Sequence, residues 1–124
     1  MIAIDTSSLV AFLAGDAGDD VEALDRALEM SLAVLPPVAV TELLSFPRLD
    51  HEVETLVLGL PVLETLPGFW ERAARTRSTV LAKRLRARLA DTLIAQSCLD
   101  HGVPLITRDR DFRHFVRHAG LILA

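Results

Sequence analysis

The chain has 124 residues, enough to bury a core without disulfides or a structural metal, and its length predicts one domain, 1–124. Hydrophobic residues make up 51% and charged residues 24%, a balance that excludes a disordered chain. The net charge of −4 at pH 7, taken as a single number, argues against a polyanionic partner.

Met1–Ile4 is a short apolar run that predicts a buried strand, closed by Asp5. Thr6, Ser7 and Ser8 open an apolar-periodic stretch through Leu9, Val10, Phe12 and Leu13 that ends at Gly15, so a helix follows the strand. Asp19 and Asp20 begin a second helix with Val21, Leu24, Ala27 and Leu28 on one face. Ser31–Leu35 predicts a second strand, and Pro36-Pro37 suits a helix start, where proline is tolerated. That helix runs from Val38 to about Phe46 and stops before Pro47, and another spans Asp50–Leu58 and stops at Gly59. Pro61–Glu64 reads as a third strand. Pro67 and Gly68 then open a long helix reaching Leu85 and carrying Arg72, Arg75, Arg77, Lys83 and Arg84. Asp91 starts the next helix, whose apolar set includes Leu93, Ile94, Cys98 and Leu99, and Gly102 ends it. Val103–Ile106 is a fourth strand, Asp109–His118 a last helix and Leu121–Leu123 a terminal strand. Short apolar strands alternating with helices imply βαβ units. The expected class is a three-layer α/β/α fold around a mostly parallel central sheet.

The longest charge-free stretch, Met30–Thr41, falls well short of the ~20 residues a membrane helix needs, so no membrane partner is expected. Neither a basic leader nor an uninterrupted apolar segment marks the N-terminus, and the single cysteine, Cys98, suits a reducing cytoplasm.

The net charge hides a division. Residues 1–71 carry two basic residues, Arg26 and Arg48, against thirteen acidic ones, a balance of −11. Residues 72–124 carry eleven basic residues against Asp91, Asp100, Asp109 and Asp111, a balance of +7. Such a split fits a basic face for a polyanion, complementary halves that meet in the fold, or two solvated surfaces of opposite sign.

In open α/β sheets, ligands bind beyond the carboxyl ends of the strands. Asp5 follows the first strand, Asp109 follows the fourth, and Asp91 opens the helix leading into that strand. Each alone is explained by helix capping. Glu42 is not, because it lies inside a helix with Val38 and Phe46 four residues either side. An inward carboxylate needs a partner such as Arg48, a place at the rim, or a cation. Two carboxylates ~4 Å apart repel by about 4 kcal/mol at an effective dielectric of 20, so a converging group requires protons or a divalent ion. An all-oxygen donor set without clustered Cys or His suits Mg²⁺ or Mn²⁺. The His114/His118 pair reads as a polar helix face. A hard cation beside an arginine-rich half suits phosphodiester hydrolysis by metal-activated water. Arg84, Arg86, Arg88, Arg108 and Arg110 are the candidates to hold the neighbouring phosphates of such a substrate.

Four segments carry a family resemblance: Ile2–Leu9 around Asp5 and Ser7, Val40–Leu43 around Glu42, Leu89–Ala95 around Asp91, and Leu105–Phe112 around Thr107, Asp109 and Asp111. In this order, across the whole chain, they resemble the PIN-domain family and, within it, the VapC-like ribonuclease toxins of type II toxin–antitoxin systems. The resemblance implies a Mg²⁺- or Mn²⁺-dependent endoribonuclease. It makes Asp5, Glu42, Asp91 and Asp109 the catalytic acids and Asp5, Asp91 and Asp109 the metal ligands, with Glu42 reaching the metal through water or on substrate binding. Ser7, Thr107 and Asp111 become supporting groups, with Asp111 competing with Asp109 for the fourth acid position. It also implies a homodimer and an antitoxin partner, whose C-terminal segment packs into an apolar groove along the first helices, including Leu9, Phe12 and Leu13. For those three residues, plain core is the competing expectation.

Other classes fit less well. A housekeeping PIN-type nuclease without an antitoxin has the same motifs. A receiver-like metal-binding module needs a lysine after a late strand, but the only lysine, Lys83, falls in a helical stretch. A haloacid-dehalogenase-like phosphatase needs a second Asp where Ser7 stands. A non-enzymatic RNA-binding module lacks an aromatic platform, since the chain has no Tyr and one Trp. That residue, Trp70, is expected either in the core or stacked on a base.

Overall fold

The computed structural model describes residues 1–124. Strands β1 (Ile2–Ile4), β2 (Ala33–Val34) and β3 (Leu105–Ile106) form a parallel sheet in the order β2-β1-β3. The seven helices are α1 (Thr6–Leu13), α2 (Asp19–Glu29), α3 (Pro37–Leu44), α4 (His51–Gly59), α5 (Phe69–Ala82), α6 (Leu89–His101) and α7 (Arg113–Ala119).

The alternation of side chains along each strand builds two cores. Ile4, Ala33, Leu35 and Ile106 point to the face covered by α1–α4, where they meet Leu9, Leu24, Leu43 and Val57. Ala3, Val34 and Leu105 point to the opposite face and pack with Val80, Ile94, Phe112 and Phe115 of the C-terminal elements. A strand buried on both sides has no polar face, which is why these strands read as unbroken apolar runs. The result is the expected α/β/α sandwich.

Two expected strands shrink to single bridges. Leu35 pairs with Val62 and Leu105 with Leu123, both in parallel. At each edge only two backbone bonds form: Leu35 donates to Pro61 and Leu63 to Leu35, while Leu105 donates to Ile122 and Ala124 to Leu105. Leu63 and Leu121 are buried in the core, but Val62, Ile122 and Leu123 are exposed, so these edge segments are covered on one face only.

Helix ends follow local chemistry. Pro37 occupies the first turn of α3, and the Asp50 side chain caps α4 by accepting the Glu52 N–H at 3.0 Å. Helix α5 stops at Ala82, short of the expected Leu85, because Arg84 adopts φ 60°, a left-handed conformation that breaks a right-handed helix. Helix α6 begins at Leu89 with Arg88 as its extended N-cap, so Asp91 lies within the first turn and capping does not explain it. The expected last helix divides: Asp109 accepts the Asp111 N–H and caps a 3-10 turn, Arg110–Phe112, before α7 starts.

On α1, Leu9 is completely buried in the core and Phe12 packs against it, while Val10 and Leu13 are exposed. A groove lined by Leu9 is therefore excluded. Phe46 is also exposed, so the column around Glu42 is apolar on one side only.

Candidate metal centre

Because β1 and β3 are adjacent and parallel, with Ile4 opposite Ile106, their C-terminal ends place Asp5 and Thr107 side by side. The Asp5 N–H donates to the Ile106 carbonyl at 2.9 Å, which seats Asp5 at the end of the sheet, where it is 4% exposed. Its Oδ2 accepts the hydroxyls of Ser7 and Thr107, the latter at 2.8 Å. Thr107 Oγ1 in turn accepts the Asp109 N–H at 3.0 Å. Burial pushes the Asp5 carboxyl above its ordinary range, and the two hydroxyls oppose that shift.

Asp91, Asp109 and Asp111 converge, each with a carboxylate oxygen within 4.8 Å of the others. Asp111, expected as a supporting group, takes a place in this trio, and Asp5 stands beside it. The order of the chain explains the geometry. Asp109 caps the 3-10 turn, the turn swings Asp111 back, and the first turn of α6 carries Asp91 to the same side.

Asp91 Oδ2 is buried and has no hydrogen-bond partner. Burial is the main reason its pKa rises to about 6, followed by the charges of Asp109 and Asp5; Arg88 acts in the opposite sense and Glu42 adds to the rise. A carboxylate that has an orphaned buried oxygen and converges with two further carboxylates is the donor set of a hard divalent cation, and these residues fit one.

Glu42 lies half-buried on α3 and accepts the Thr6 hydroxyl at 2.8 Å. That bond, rather than Arg48, supplies its partner, and Arg48 is exposed. Of the five candidate arginines, Arg84, Arg88 and Arg110 are exposed and outside the ion pairs. Arg86 stands 3.8 Å from Asp111 at the rim of the trio. Arg108 differs: its Nε lies 2.9 Å from Asp20 Oδ2 and its Nη2 3.1 Å from Asp20 Oδ1, so α2 already holds it.

A family model for the PIN domain matches residues 2–117. The chain belongs to the PIN-domain family. Among solved structures, this PIN domain resembles FitAcB from Neisseria gonorrhoeae at 19% identity and TM-score 0.71, covering 99% of this chain and 96% of that one. It also resembles VapBC2 from Rickettsia felis bound to a DNA fragment from their promoter, at 18% identity and TM-score 0.72, covering 100% and 98%. A third is VapBC-5 from Mycobacterium tuberculosis, a member of the VapBC family of toxin–antitoxin systems, at 21% identity and TM-score 0.66, covering 99% and 98%. At these identities the likeness is one of fold. No curated protein matches the chain.

Three site neighbours escaped the sequence-level view: Thr6 as the partner of Glu42, Ser8 as a donor to Asp20, and Asp20 as the partner of Arg108. All three sit at helix starts, where Ser, Thr and Asp read as ordinary capping residues.

Proposed function

We propose that this PIN domain is a divalent-cation-dependent endoribonuclease, the toxin of a type II toxin–antitoxin pair, working in the cytoplasm on an RNA strand. The observation that carries this assignment is the convergence of Asp91, which has an orphaned buried oxygen, with Asp109 and Asp111 near buried Asp5. Asp91, Asp109 and Asp111, with Asp5 behind them, would hold Mg²⁺ or Mn²⁺, which when bound supplies Lewis-acid polarisation of a phosphoryl oxygen and activation of water. Glu42, held by Thr6, extends the acidic rim, and Ser7 and Thr107 fix the orientation of the Asp5 carboxylate. Arg84, Arg86, Arg88 and Arg110 hold RNA phosphates on either side; such contacts position a strand without reading its bases. No helix is long and apolar enough to cross a membrane.

The test is RNA cleavage with Mg²⁺ or Mn²⁺, comparing the native chain with Asp5→Asn and Asp91→Asn. The cation term is worth several kcal/mol, so each substitution is expected to slow cleavage at least about a hundredfold. Undiminished cleavage in both variants would sink the assignment. Growth arrest on induction, relieved by a co-expressed small neighbour, separates a toxin from a housekeeping nuclease.

Two partners follow from the same reading. The toxin–antitoxin neighbours support an antitoxin, and the exposed Val10 and Leu13 of α1 offer it an apolar seat. A second copy fits on α5. Trp70 is 63% exposed, which excludes the core role, and it lines a groove of about 650 Å³ together with Ala73, Ala74, Leu81, Leu89 and Leu93. One face thus offers both a knob and a hole, as a two-fold interface requires. Helix α5 carries Glu71 in its first turn and is followed by Lys83 and Arg84, so an antiparallel copy sets the Glu71 of each against the basic end of the other. A tryptophan anchor is worth about 2 kcal/mol or more. Trp70→Ala is expected to weaken self-association at least about thirtyfold, measured by sedimentation equilibrium in the analytical ultracentrifuge.

A further inference from the structure

We propose that Arg108 and Asp20 form a strut that sets the positions of Asp109 and Asp111, which makes Arg108 a positioning residue of the acid trio and not an RNA contact. The inference rests on the divalent-cation reading of that trio. Arg108 lies between Thr107, which donates to Asp5, and Asp109, a member of the trio. Its guanidinium grips Asp20 through two donors, at 2.9 and 3.1 Å, and reaches the Ala17 carbonyl at 3.2 Å. A planar fork bonded through two nitrogens fixes both distance and angle, which a single contact does not.

The other end of the strut is anchored as firmly. Asp20 Oδ2 also accepts the hydroxyl of Ser8 at 2.8 Å, and Ser8 is completely buried on α1, in the turn that begins at Asp5. The Thr107–Asp111 loop is therefore tied to the β1–α1 junction by two routes, Thr107 to Asp5 and Arg108 through Asp20 to Ser8. Gly18 makes the approach possible. Its φ of 153° is unusual for other residues, and a Cβ there would lie 2.5 Å from Asp20 Oδ1 and 3.0 Å from Arg108 Nη2.

The charge division of the chain bears on the choice of role. Arg108 makes every ion pair that crosses from the basic half to the acidic half, to Asp20 and, at 3.9 Å, to Asp16. The remaining pairs, Arg72–Asp100 and Arg86–Asp111, lie within the basic half. A phosphate at Arg108 would meet two carboxylates and a guanidinium whose Nε and Nη2 are already engaged. Arg84, Arg88 and Arg110, by contrast, are exposed and pair with no carboxylate, and Arg86 pairs with only one, at 3.8 Å from Asp111.

The experiment separates the two roles by measuring Mn²⁺ binding without RNA, by calorimetry, and RNA binding without divalent ion, by fluorescence anisotropy across a salt series. Groups that orient metal ligands typically change affinity ten- to a hundredfold when removed. Arg108→Gln is expected to weaken Mn²⁺ binding by about tenfold or more, while RNA affinity and its salt slope match those of Arg26→Gln, a charge-matched control on α2. Asp20→Asn is expected to reproduce the loss, and the double variant to be no worse than either single one, since both cut the same strut. Asp20→Asn also serves if Arg108→Gln fails to fold. Native-like Mn²⁺ affinity in a folded variant overturns the strut alone, as does a drop in RNA affinity with the salt slope reduced by about 1, the mark of a lost phosphate contact. Failure of the native protein to bind Mn²⁺ overturns the metal reading, and the strut's role with it.

Discussion

Replacing Asp91 with Asn is expected to stabilise the metal-free protein and to abolish its response to Mn²⁺. The carboxylate has a buried oxygen without a partner and faces Asp109 and Asp111, so ionising it in the folded chain is unfavourable. Its folded pKa of about 6 exceeds the ordinary 3.8, and the folded state therefore holds a proton that the unfolded chain releases. Stability from this group is fully present below the ordinary pKa and is lost as pH rises through about 6. At pH 7 the metal-free native protein carries that penalty. Asn removes the charge, keeps the shape, and its amide donates to a neighbouring carboxylate. A gain of about 1 kcal/mol corresponds to roughly 4 °C in Tm for a chain of this size. Mn²⁺ should reverse the order, because the cation binds the native trio and raises its Tm, while the variant lacks the third carboxylate. Thermal denaturation at pH 5, 6 and 7.5, with and without Mn²⁺, reads both effects. In the native protein the Mn²⁺-induced rise should grow with pH through about 6, as the cation displaces a proton from Asp91. A destabilised variant at pH 7.5 without metal would show that Asp91 holds the fold rather than the cation.

Much of the fold is legible in the sequence because buried parallel strands and capped helices leave strong local marks. Ile2–Ile4, Ala33–Val34 and Leu105–Ile106 are apolar on both faces, and Pro37, Asp50 and Gly102 stand at helix ends where their backbone chemistry is needed. The edge segments are harder to read. Val62 and Leu123 have the composition of strands, but pairing depends on what covers a segment, and these two are covered on one face only, through Leu63 and Leu121. The boundary of α6 also misleads: Asp is a favoured cap, yet Arg88 takes the cap and Asp91 turns inward. The acids are visible one at a time, through Glu42 inside its helix and through Asp5 and Asp109 just after strands. The place of Asp111 in the trio is not visible, because it depends on the 3-10 turn that Asp109 itself caps. Arg108 shows the deeper reason. A basic residue in a basic half reads as a ligand contact until its long-range partner is known, and Asp20 lies 88 residues away.

Phe112→Ala is expected to cost the most stability of any single change beside the site, and to weaken Mn²⁺ binding as well. Phe112 is completely buried one residue after Asp111, with its ring 5.9 Å from that of Phe115. Truncating a buried phenylalanine removes about 3–5 kcal/mol, a large part of the roughly 5–15 kcal/mol that holds a domain folded. A fall in Tm of roughly 10–20 °C follows. The same ring anchors the 3-10 turn that carries Asp111, so the cavity also frees the trio's geometry. Phe115→Ala is the informative comparison. It is equally buried but sits on α7, beyond the turn, and should lose similar stability while keeping Mn²⁺ affinity near native. Calorimetric titration at 15 °C, where both variants remain folded, tests the contrast. Equal losses of affinity would mean that general loosening of the core, and not the anchoring of this turn, governs the metal centre. Native-like affinity in both would mean that the cap at Asp109 holds the trio without help from the core.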